Sequence, residues 1–152
     1  PVVFEQAVLD SLVKYESIFI YGKMNCVLDL DSELIILADI DRFEQIIQNI
    51  IENSIRYTES GGKIMIRSMR RENHAVLEIE DTGQGIPEEH LSRITERFYR
   101  VNKARSRADG GTGIGLSIVQ KLVNYHNGFM EIESEINVGT TVRLCFPIAD
   151  SE

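Results

Sequence analysis

Asn49-Ile-Ile-Glu-Asn-Ser-Ile-Arg-Tyr-Thr58 forms the second half of the longest helix that the sequence predicts. The helix begins at the capping residue Asp39 and ends near Thr58, before Gly61-Gly62. Its apolar stripe consists of Phe43, Ile46, Ile47 and Ile50, continued by the small Ser54. This spacing predicts an amphipathic helix with one face packed against a core.

A second, polar stripe runs beside the apolar one. At about 100° per residue, Asn49, Asn53 and Arg56 fall within an arc of about 60° next to the core face, where we expect the rim of a pocket. Amide oxygens suit a Mg²⁺ ion that keeps most of its waters and is shared with a phosphate chain, and the arginine would meet the phosphates. An ordinary polar helix flank is the alternative interpretation. Glu52 points about 100° away from Asn53, so we expect it in solvent.

The rest of the chain alternates helices with pairs of strands. Apolar stripes predict a helix over residues 4–15 and another over residues 114–123, which Gly128 ends. The predicted strands are Met24–Leu30, Leu34–Ala38, Ile64–Arg70, Ala75–Glu80, Phe129–Glu135 and Thr141–Ile148. Residues 81–113 form a long loop with a short helix around 88–95, and loops of this length are usually functional or mobile. The order predicts an α+β fold, a two-layer sandwich with helices on one face of one sheet.

The predicted strand before the long loop ends in a carboxylate. Ala75, Leu77 and Ile79 share one face at period two, and Asp81 has the same parity, so its side chain should point inward. A buried carboxylate needs donors, such as a bound amino group, a water or backbone N–H groups. In Asp81-Thr-Gly-Gln-Gly-Ile-Pro87, the two glycines leave room for a flat ligand, and an Asp facing an exocyclic amine would read adenine. A glycine-capped Asx turn is the alternative.

A glycine-rich segment, Gly110-Gly-Thr-Gly-Ile-Gly115, directly precedes the helix that starts near Ile114. Flexible backbone that leads into a helix N-terminus exposes N–H donors to a phosphate. A P-loop is excluded because Leu116 and Ser117 follow without a lysine, and a dinucleotide fingerprint is excluded because no strand precedes the glycines. The HRD and DFG triplets of eukaryotic-type kinases are absent.

Composition limits the classes of protein that this chain can belong to. Its 152 residues, 16 of them Lys or Arg and 24 Asp or Glu, give one domain with a net charge of −8, which argues against nucleic acid as the main partner. The long loop is locally cationic, either as a solvated face or as a functional one. Its cationic residues are Arg93, Arg97, Arg100, Lys103, Arg105 and Arg107. No apolar run reaches the roughly 20 residues that span a bilayer.

Two further features concern the cellular context. Cys26 and Cys145 lie in apolar strand-like segments, and buried free thiols are favoured over a disulfide. The chain begins with Pro1 and not with Met, from which we expect a piece of a longer protein.

Four segments in this order resemble the N box, first glycine box, F box and second glycine box of bacterial sensor histidine kinases. They are Asn49–Thr58, Asp81–Pro87, Glu96-Arg-Phe-Tyr-Arg100 and Gly110–Leu116. The resemblance extends from Phe4 to Pro147 and includes the ending Gly139-Thr-Thr-Val142. It implies a Bergerat-type ATP-binding fold, with a mixed, mostly antiparallel sheet of about five strands, three helices on one face and a flexible lid over the pocket.

The resemblance also implies roles for individual residues. Asn53 would be the Mg²⁺ ligand, Asn49 and Arg56 the catalytic positions near the phosphates, and Asp81 the acceptor for the adenine amine. Phe98 would anchor the lid, and Arg100, Lys103 or Arg105 could reach the γ-phosphate. The further nucleotide-binding positions would be Tyr57, Gly83, Gly85, Ile86, Gly111, Thr112, Gly113, Gly115, Leu116 and Thr140.

One position separates a kinase from a hydrolase. Related Bergerat ATPases of the gyrase, chaperone and mismatch-repair kind carry a catalytic Glu one turn before the magnesium-binding Asn, where this chain has Asn49. Without that base, water is poorly activated and the γ-phosphoryl group is left for another acceptor.

The phosphoacceptor itself is expected elsewhere. None of the three histidines, His74, His90 and His126, is followed by an acidic residue, and we expect each at the surface or in a turn. The resemblance therefore implies an upstream helical dimerisation domain that carries the acceptor histidine, in a homodimer, and a response regulator downstream. It implies that this chain is a cytoplasmic domain of a membrane-anchored kinase and that the domain itself contacts neither membrane nor nucleic acid. The alternatives are a Bergerat-fold serine kinase of the anti-sigma type and a non-catalytic nucleotide-binding module.

Overall fold

The computed structural model describes residues 1–21, 24–59, 61–86 and 115–149. Four α-helices lie in these ranges: α1 (Phe4–Leu12), α2 (Glu16–Tyr21), α3 (Ile40–Tyr57) and α4 (Gly115–Tyr125). A 3₁₀ turn, Val13–Tyr15, joins α1 to α2. The strands are β1 (Val2–Val3), β2 (Asn25–Asp29), β3 (Ile35–Ile36), β4 (Lys63–Arg71), β5 (His74–Asp81), β6 (Phe129–Glu135) and β7 (Gly139–Pro147).

The main sheet has five strands in the order β2-β4-β5-β7-β6. β2 pairs with β4 in parallel, and the other neighbours are antiparallel, so the sheet is mixed and mostly antiparallel as expected. A second, two-stranded sheet pairs β1 with β3. The two strands predicted over residues 24–38 thus belong to different sheets: β2 pairs with β4 and β3 pairs with β1. Along the chain, α3 lies between the parallel partners β2 and β4.

The core fills the space between one face of the main sheet and the helices α1, α3 and α4. Ile64, Ile66, Leu77 and Ile79 point from the sheet into this layer and are at most 1% exposed. Phe4, Phe43 and Phe146 bring α1, α3 and β7 together, with ring centroids 5.5 to 6.1 Å apart. The α+β sandwich predicted from the order of elements is therefore confirmed.

The start of α3 is fixed by two side chains. The Asp39 carboxylate accepts hydrogen bonds from the backbone N–H groups of Asp41 and Arg42, which confirms the predicted cap. His126, just after α4, accepts a hydrogen bond from the Asp39 N–H at its Nε2, 3.2 Å away, and its Nδ1 lies 2.7 Å from the Leu122 carbonyl. His126 lies in the turn after α4, one of the two locations predicted for it, and at 8% exposure it is buried there and not at the surface.

Among the described residues, the opposite face of the sheet carries charged side chains and no helix. Glu78 on β5 accepts hydrogen bonds from Arg67 on β4, at 2.6 Å, and from Arg143 on β7, at 2.9 Å. Arg67 also binds Glu80, and Arg143 binds Glu133. We call these five residues the outer-face ion network.

Other predictions are settled or fall outside the described ranges. Cys26 and Cys145 are both free. None of the helices in the described part of the chain is long and apolar enough to cross a bilayer. The short helix predicted around residues 88–95 lies outside the described residues.

Candidate functional site

The polar stripe of α3 is half-buried at the edge of the core, as its angular position predicts. Asn49, Asn53 and Arg56 are all of intermediate exposure. Arg56 donates from its Nη1 to the Asn53 Oδ1 at 3.4 Å, a long hydrogen bond that leaves the amide oxygen able to accept another partner.

Glu52 lies away from this pair. Its carboxylate is exposed and accepts a hydrogen bond from the Tyr15 hydroxyl at 2.8 Å, while the Lys14 Nζ lies 3.8 Å away. The prediction that Glu52 faces away from Asn53 into solvent is confirmed. Glu52 is held at the junction of α1 and α2 and not beside the amide stripe.

Asp81 points inward from the end of β5 and is 8% exposed. Its Oδ1 accepts from the Gly83 N–H at 2.9 Å and from the Thr140 N–H at 3.3 Å. The Ser54 hydroxyl on α3 lies near this carboxylate and favours its ionised form. Burial raises the pKa of Asp81, and these three donors oppose the increase because they favour the ionised form. The predicted inward direction of Asp81 is confirmed, and its hydrogen bond from the Gly83 N–H forms the Asx turn that was the alternative to adenine recognition.

The loop after Asp81 packs against the end of α3. The Gln84 N–H donates to the Tyr57 carbonyl at 3.3 Å, and a Cβ added at Gly83 would lie 2.6 Å from that same oxygen. Gly83 is therefore needed so that the loop backbone can approach the Tyr57 carbonyl closely, besides any room it leaves for a ligand. The neighbouring Thr58 hydroxyl is buried and has no hydrogen-bond partner among the described residues.

The same loop is fixed on its other side to the β6–β7 hairpin. Gly85 has φ +76°, and a Cβ there would lie 2.2 Å from the Glu135 carbonyl. The Ile86 N–H donates to the Ser134 hydroxyl at 2.7 Å, and the Asn137 N–H donates to the Gln84 carbonyl at 2.9 Å. Ser134 and Ser54 were missed by sequence reasoning. A serine at a core-facing position of an amphipathic pattern is the signal that could have found both.

The structure thus brings together one group of the predicted residues. Around the end of β5 and the last turns of α3 lie Asn49, Asn53, Arg56, Tyr57, Asp81, Gly83, Gly85, Ile86 and Thr140. Gly115 begins α4, and Leu116 follows it half-buried. The remaining predicted residues lie outside the described ranges: Phe98, Arg100, Lys103, Arg105, Gly111, Thr112 and Gly113.

The donors at this site are compatible with Mg²⁺. Among the described residues, no group of three or more His, Cys, Asp and Glu side chains could hold a metal ion. The Asn53 amide oxygen, only weakly engaged by Arg56, is a hard neutral ligand of the kind that Mg²⁺ uses together with waters and substrate phosphates. This donor therefore fits an ion that shares its coordination with waters and a phosphate chain.

Comparison with known proteins identifies the family. Residues 38–150 match the family of histidine kinase-, DNA gyrase B- and HSP90-like ATPases, and the chain belongs to this family. ATP binding follows from that membership.

Particular relatives narrow the resemblance further. The chain is 45% identical over 105 residues to the signal transduction histidine-protein kinase ArlS of Staphylococcus aureus, a match that covers 69% of this chain and 23% of ArlS. The chain therefore spans less than a quarter of that relative's length.

Solved structures agree with this identification. The catalytic domain of histidine kinase ThkA superposes with a TM-score of 0.84 at 25% identity, over 96% of this chain and 93% of that domain. Full-length ShkA, solved in complex with AMPPNP, has the same fold, with a TM-score of 0.84 at 24% identity over 99% of this chain and 31% of ShkA. The fold predicted from the resemblance to histidine kinases is confirmed.

Proposed function

We propose that this chain is the ATP-binding catalytic domain of a bacterial two-component sensor histidine kinase, which binds Mg-ATP and delivers the γ-phosphoryl group to a histidine on a separate domain. The observation that carries the proposal is the buried carboxylate of Asp81, which the Gly83 and Thr140 N–H groups hold near Ser54 on α3. Ser54 directly follows Asn53, so the acid that would read the base lies close to the amide that would bind the metal.

In this proposal each side chain contributes binding or electrostatics. Asp81 accepts a hydrogen bond from the adenine amine, and the backbone donors on its Oδ1 hold it in place. Asn53 would hold Mg²⁺ through its amide oxygen, with Asn49 and Arg56 close to the phosphates. The ion, when bound, neutralises negative charge on the phosphates. Positioning and charge stabilisation then provide the acceleration, since phosphoryl transfer needs little covalent chemistry from the protein.

Transfer to another acceptor is favoured over hydrolysis. Asn49 occupies the position of the catalytic Glu in the related hydrolases, and an amide cannot take a proton from water. Glu52, the nearest carboxylate along α3, is turned away toward Tyr15. Water at the γ-phosphate would therefore lack a general base from this part of α3.

The two histidines in the described part of the chain are unsuited to be the phosphoacceptor. His126 is buried, with both ring nitrogens within hydrogen-bond distance of backbone groups. His74 lies in β5, with its ring against Phe129. We therefore extend the proposal to an upstream helical dimerisation domain with the acceptor histidine, a homodimeric parent protein, a response regulator downstream and a location on the cytoplasmic side of a membrane-anchored kinase.

Transfer is tested by mixing the 152-residue chain with γ-labelled ATP, Mg²⁺ and a purified helical domain that carries a phosphoacceptor histidine. We expect label on the helical domain that is lost in acid and kept in base, as a phosphohistidine requires. Acid-stable label would favour the serine kinase, and nucleotide binding without any transfer would favour a non-catalytic module. Rapid ATP hydrolysis by the chain alone would contradict the proposal.

The metal-binding role is tested by Asn53→Ala. Removing the amide should lower ATP affinity in saturating Mg²⁺ by about 10- to 100-fold, because a ligand to a charged group is lost, with little change when Mg²⁺ is chelated. Isothermal titration calorimetry measures both conditions. The matched control is Glu52→Gln, one residue earlier on the same helix, which should bind ATP like the wild type. Equal ATP affinity of Asn53→Ala and wild type in Mg²⁺ would refute this role.

A further inference from the structure

The Ser134 hydroxyl on β6 lies within hydrogen-bond distance of three groups from two different segments. The Ile86 N–H donates to its Oγ at 2.7 Å, the Gly139 carbonyl lies 3.0 Å away, and the Thr140 Oγ1 lies 2.8 Å away. A serine hydroxyl has one hydrogen to donate and two lone pairs to accept with. Three contacts therefore use its full capacity.

The number of hydrogens fixes the direction of each bond. The Gly139 carbonyl can only accept, so the Ser134 hydrogen goes to it, and the Ile86 N–H can only donate. All three contacts are satisfied together only when the Thr140 hydroxyl donates its single hydrogen to Ser134. The Thr140 Oγ1 then has no hydrogen left for a ligand and can act toward one only as an acceptor.

Thr140 lies directly beside the carboxylate described above. It is the cross-strand partner of Asp81 in the β5–β7 ladder, so the two side chains lie on the same face of the sheet. Its N–H donates to the Asp81 Oδ1. This corner of the site therefore has two neighbouring acceptors, a carboxylate and a hydroxyl whose hydrogen is already used.

We propose that Ser134 is a positioning residue that sets base specificity, because it fixes the Thr140 hydroxyl as an acceptor beside Asp81. Two acceptors match the two N–H bonds of a 6-amino purine and oppose the carbonyl of a 6-oxo purine. The inference rests on the proposed nucleotide site and adds to it the residue that favours adenine over hypoxanthine or guanine.

The test compares ADP with IDP, which carry a 6-amino and a 6-oxo purine, by calorimetry on the 152-residue chain. The wild type should bind ADP more tightly. Ser134→Ala frees the Thr140 hydroxyl to rotate and donate, so the ADP-to-IDP affinity ratio should fall by about two- to tenfold, the value of one neutral hydrogen bond. Ser134→Thr keeps the hydroxyl and should keep the ratio.

Two further variants separate this role from a general structural one. Thr140→Val should lower the ratio by a similar factor, and adding Ser134→Ala to it should lower the ratio no further, since Ser134 acts through Thr140. Ser68→Ala removes another core-facing serine hydroxyl, four residue pairs further along β5 from Asp81, and should leave the ratio unchanged.

The outcomes are distinct. A folded Ser134→Ala protein with the wild-type ratio, or one that loses ADP and IDP affinity by equal factors, would overturn the inference. If Ser134→Ala does not fold, an unchanged ratio in Thr140→Val overturns it and a lowered one supports it. A wild-type chain that binds neither nucleotide would refute the proposed function itself, and the inference with it.

Discussion

Asp81 is a carboxylate on the core-facing side of the sheet, and its burial determines how it titrates. Because burial raises its pKa above the ordinary value of 3.8, the folded protein binds its proton more tightly than the unfolded chain does. The stability that protonated Asp81 contributes is fully present below the pKa that Asp81 has in the unfolded chain. It is lost as pH rises through the higher pKa that Asp81 has in the folded protein. Adenine recognition, which needs the ionised acceptor, should strengthen over the same pH range.

The substitution Asp81→Asn separates these two effects. The amide places a donor where the adenine amine needs an acceptor, so ADP affinity should fall by about 10- to 100-fold at neutral pH. The free energy of unfolding should change in the opposite sense. As pH rises through the pKa of Asp81, the wild type loses stability and Asp81→Asn does not, so the variant becomes more stable relative to the wild type. Calorimetry and urea unfolding at a series of pH values measure the two quantities.

The matched control for this prediction is Glu80→Gln. Glu80 precedes Asp81 in β5 but lies on the opposite face, where it pairs with Arg67. The Glu80→Gln substitution should leave ADP affinity unchanged. Equal ADP affinities for Asp81→Asn and wild type would show that Asp81 does not read the base.

At the scale of elements, His126 joins the end of α4 to the start of α3. Replacing it with Phe keeps an aromatic ring near Phe146, which lies 6.1 Å away between ring centroids, but removes the acceptor for the Asp39 N–H and the contact with Leu122. We expect His126→Phe to lower the free energy of unfolding by about 1–2 kcal/mol, because the Asp39 N–H loses its acceptor, whereas the Leu122 carbonyl still accepts from the backbone N–H of residue 126. Urea denaturation measures the change.

His74→Phe provides the comparison for that prediction. His74 is half-buried, and its described contact is with the Phe129 ring, 5.3 Å between centroids, so the change should stay within about 0.5 kcal/mol. Equal losses for the two variants would show that the hydrogen bonds of His126 contribute nothing specific.

The elements that the sequence predicts well are those with a clear apolar period. α3, the β4–β5 hairpin, α4 and the two last strands repeat their buried residues at 3.6 or 2, so their existence and the inward direction of Asp81 follow from spacing. α2 has no buried residue, and β1 is two residues long, so neither carries a periodic signal. The parallel pairing of β2 with β4 depends on how α3 packs, which the pattern of β2 does not contain.

The same reasoning explains which site residues were found. Asn53, Arg56 and Asp81 lie beside or within a periodic stripe, so their local spacing already shows where they point. The part played by Ser134 depends on Ile86, Gly139 and Thr140, which two separate segments bring to one point. The sequence around one serine does not show how many hydrogen-bond partners the fold brings to its hydroxyl.

On the scale of the whole sheet, the outer-face ion network covers the face on which the described part of the chain places no helix. Glu78 lies at its centre, with its side chain 14% exposed between Arg67 and Arg143. Glu78→Gln should lower the free energy of unfolding by about 1–3 kcal/mol, because two partly buried guanidinium groups each lose the less exposed of their two counter-ions. Urea unfolding at low and high salt should detect most of that loss under both conditions, since partly buried pairs are weakly screened.

Glu133→Gln is the matched comparison within the network. Glu133 pairs with the same Arg143 but is 70% exposed, so its loss should cost less than about 1 kcal/mol and less still at high salt. Equal effects of the two substitutions would mean that burial does not determine the strength of this network.

Among the described strands, β5 occupies the middle of the main sheet, whereas β6 is outermost and has a neighbour on one side only. Strands at the rim of a sheet fray at a lower free-energy cost than central ones. The carboxylate at the end of β5 is therefore anchored more durably than the serine on β6 that restrains its neighbour. Under the role proposed for Ser134, partial fraying at the rim would admit other purines before nucleotide binding itself was lost.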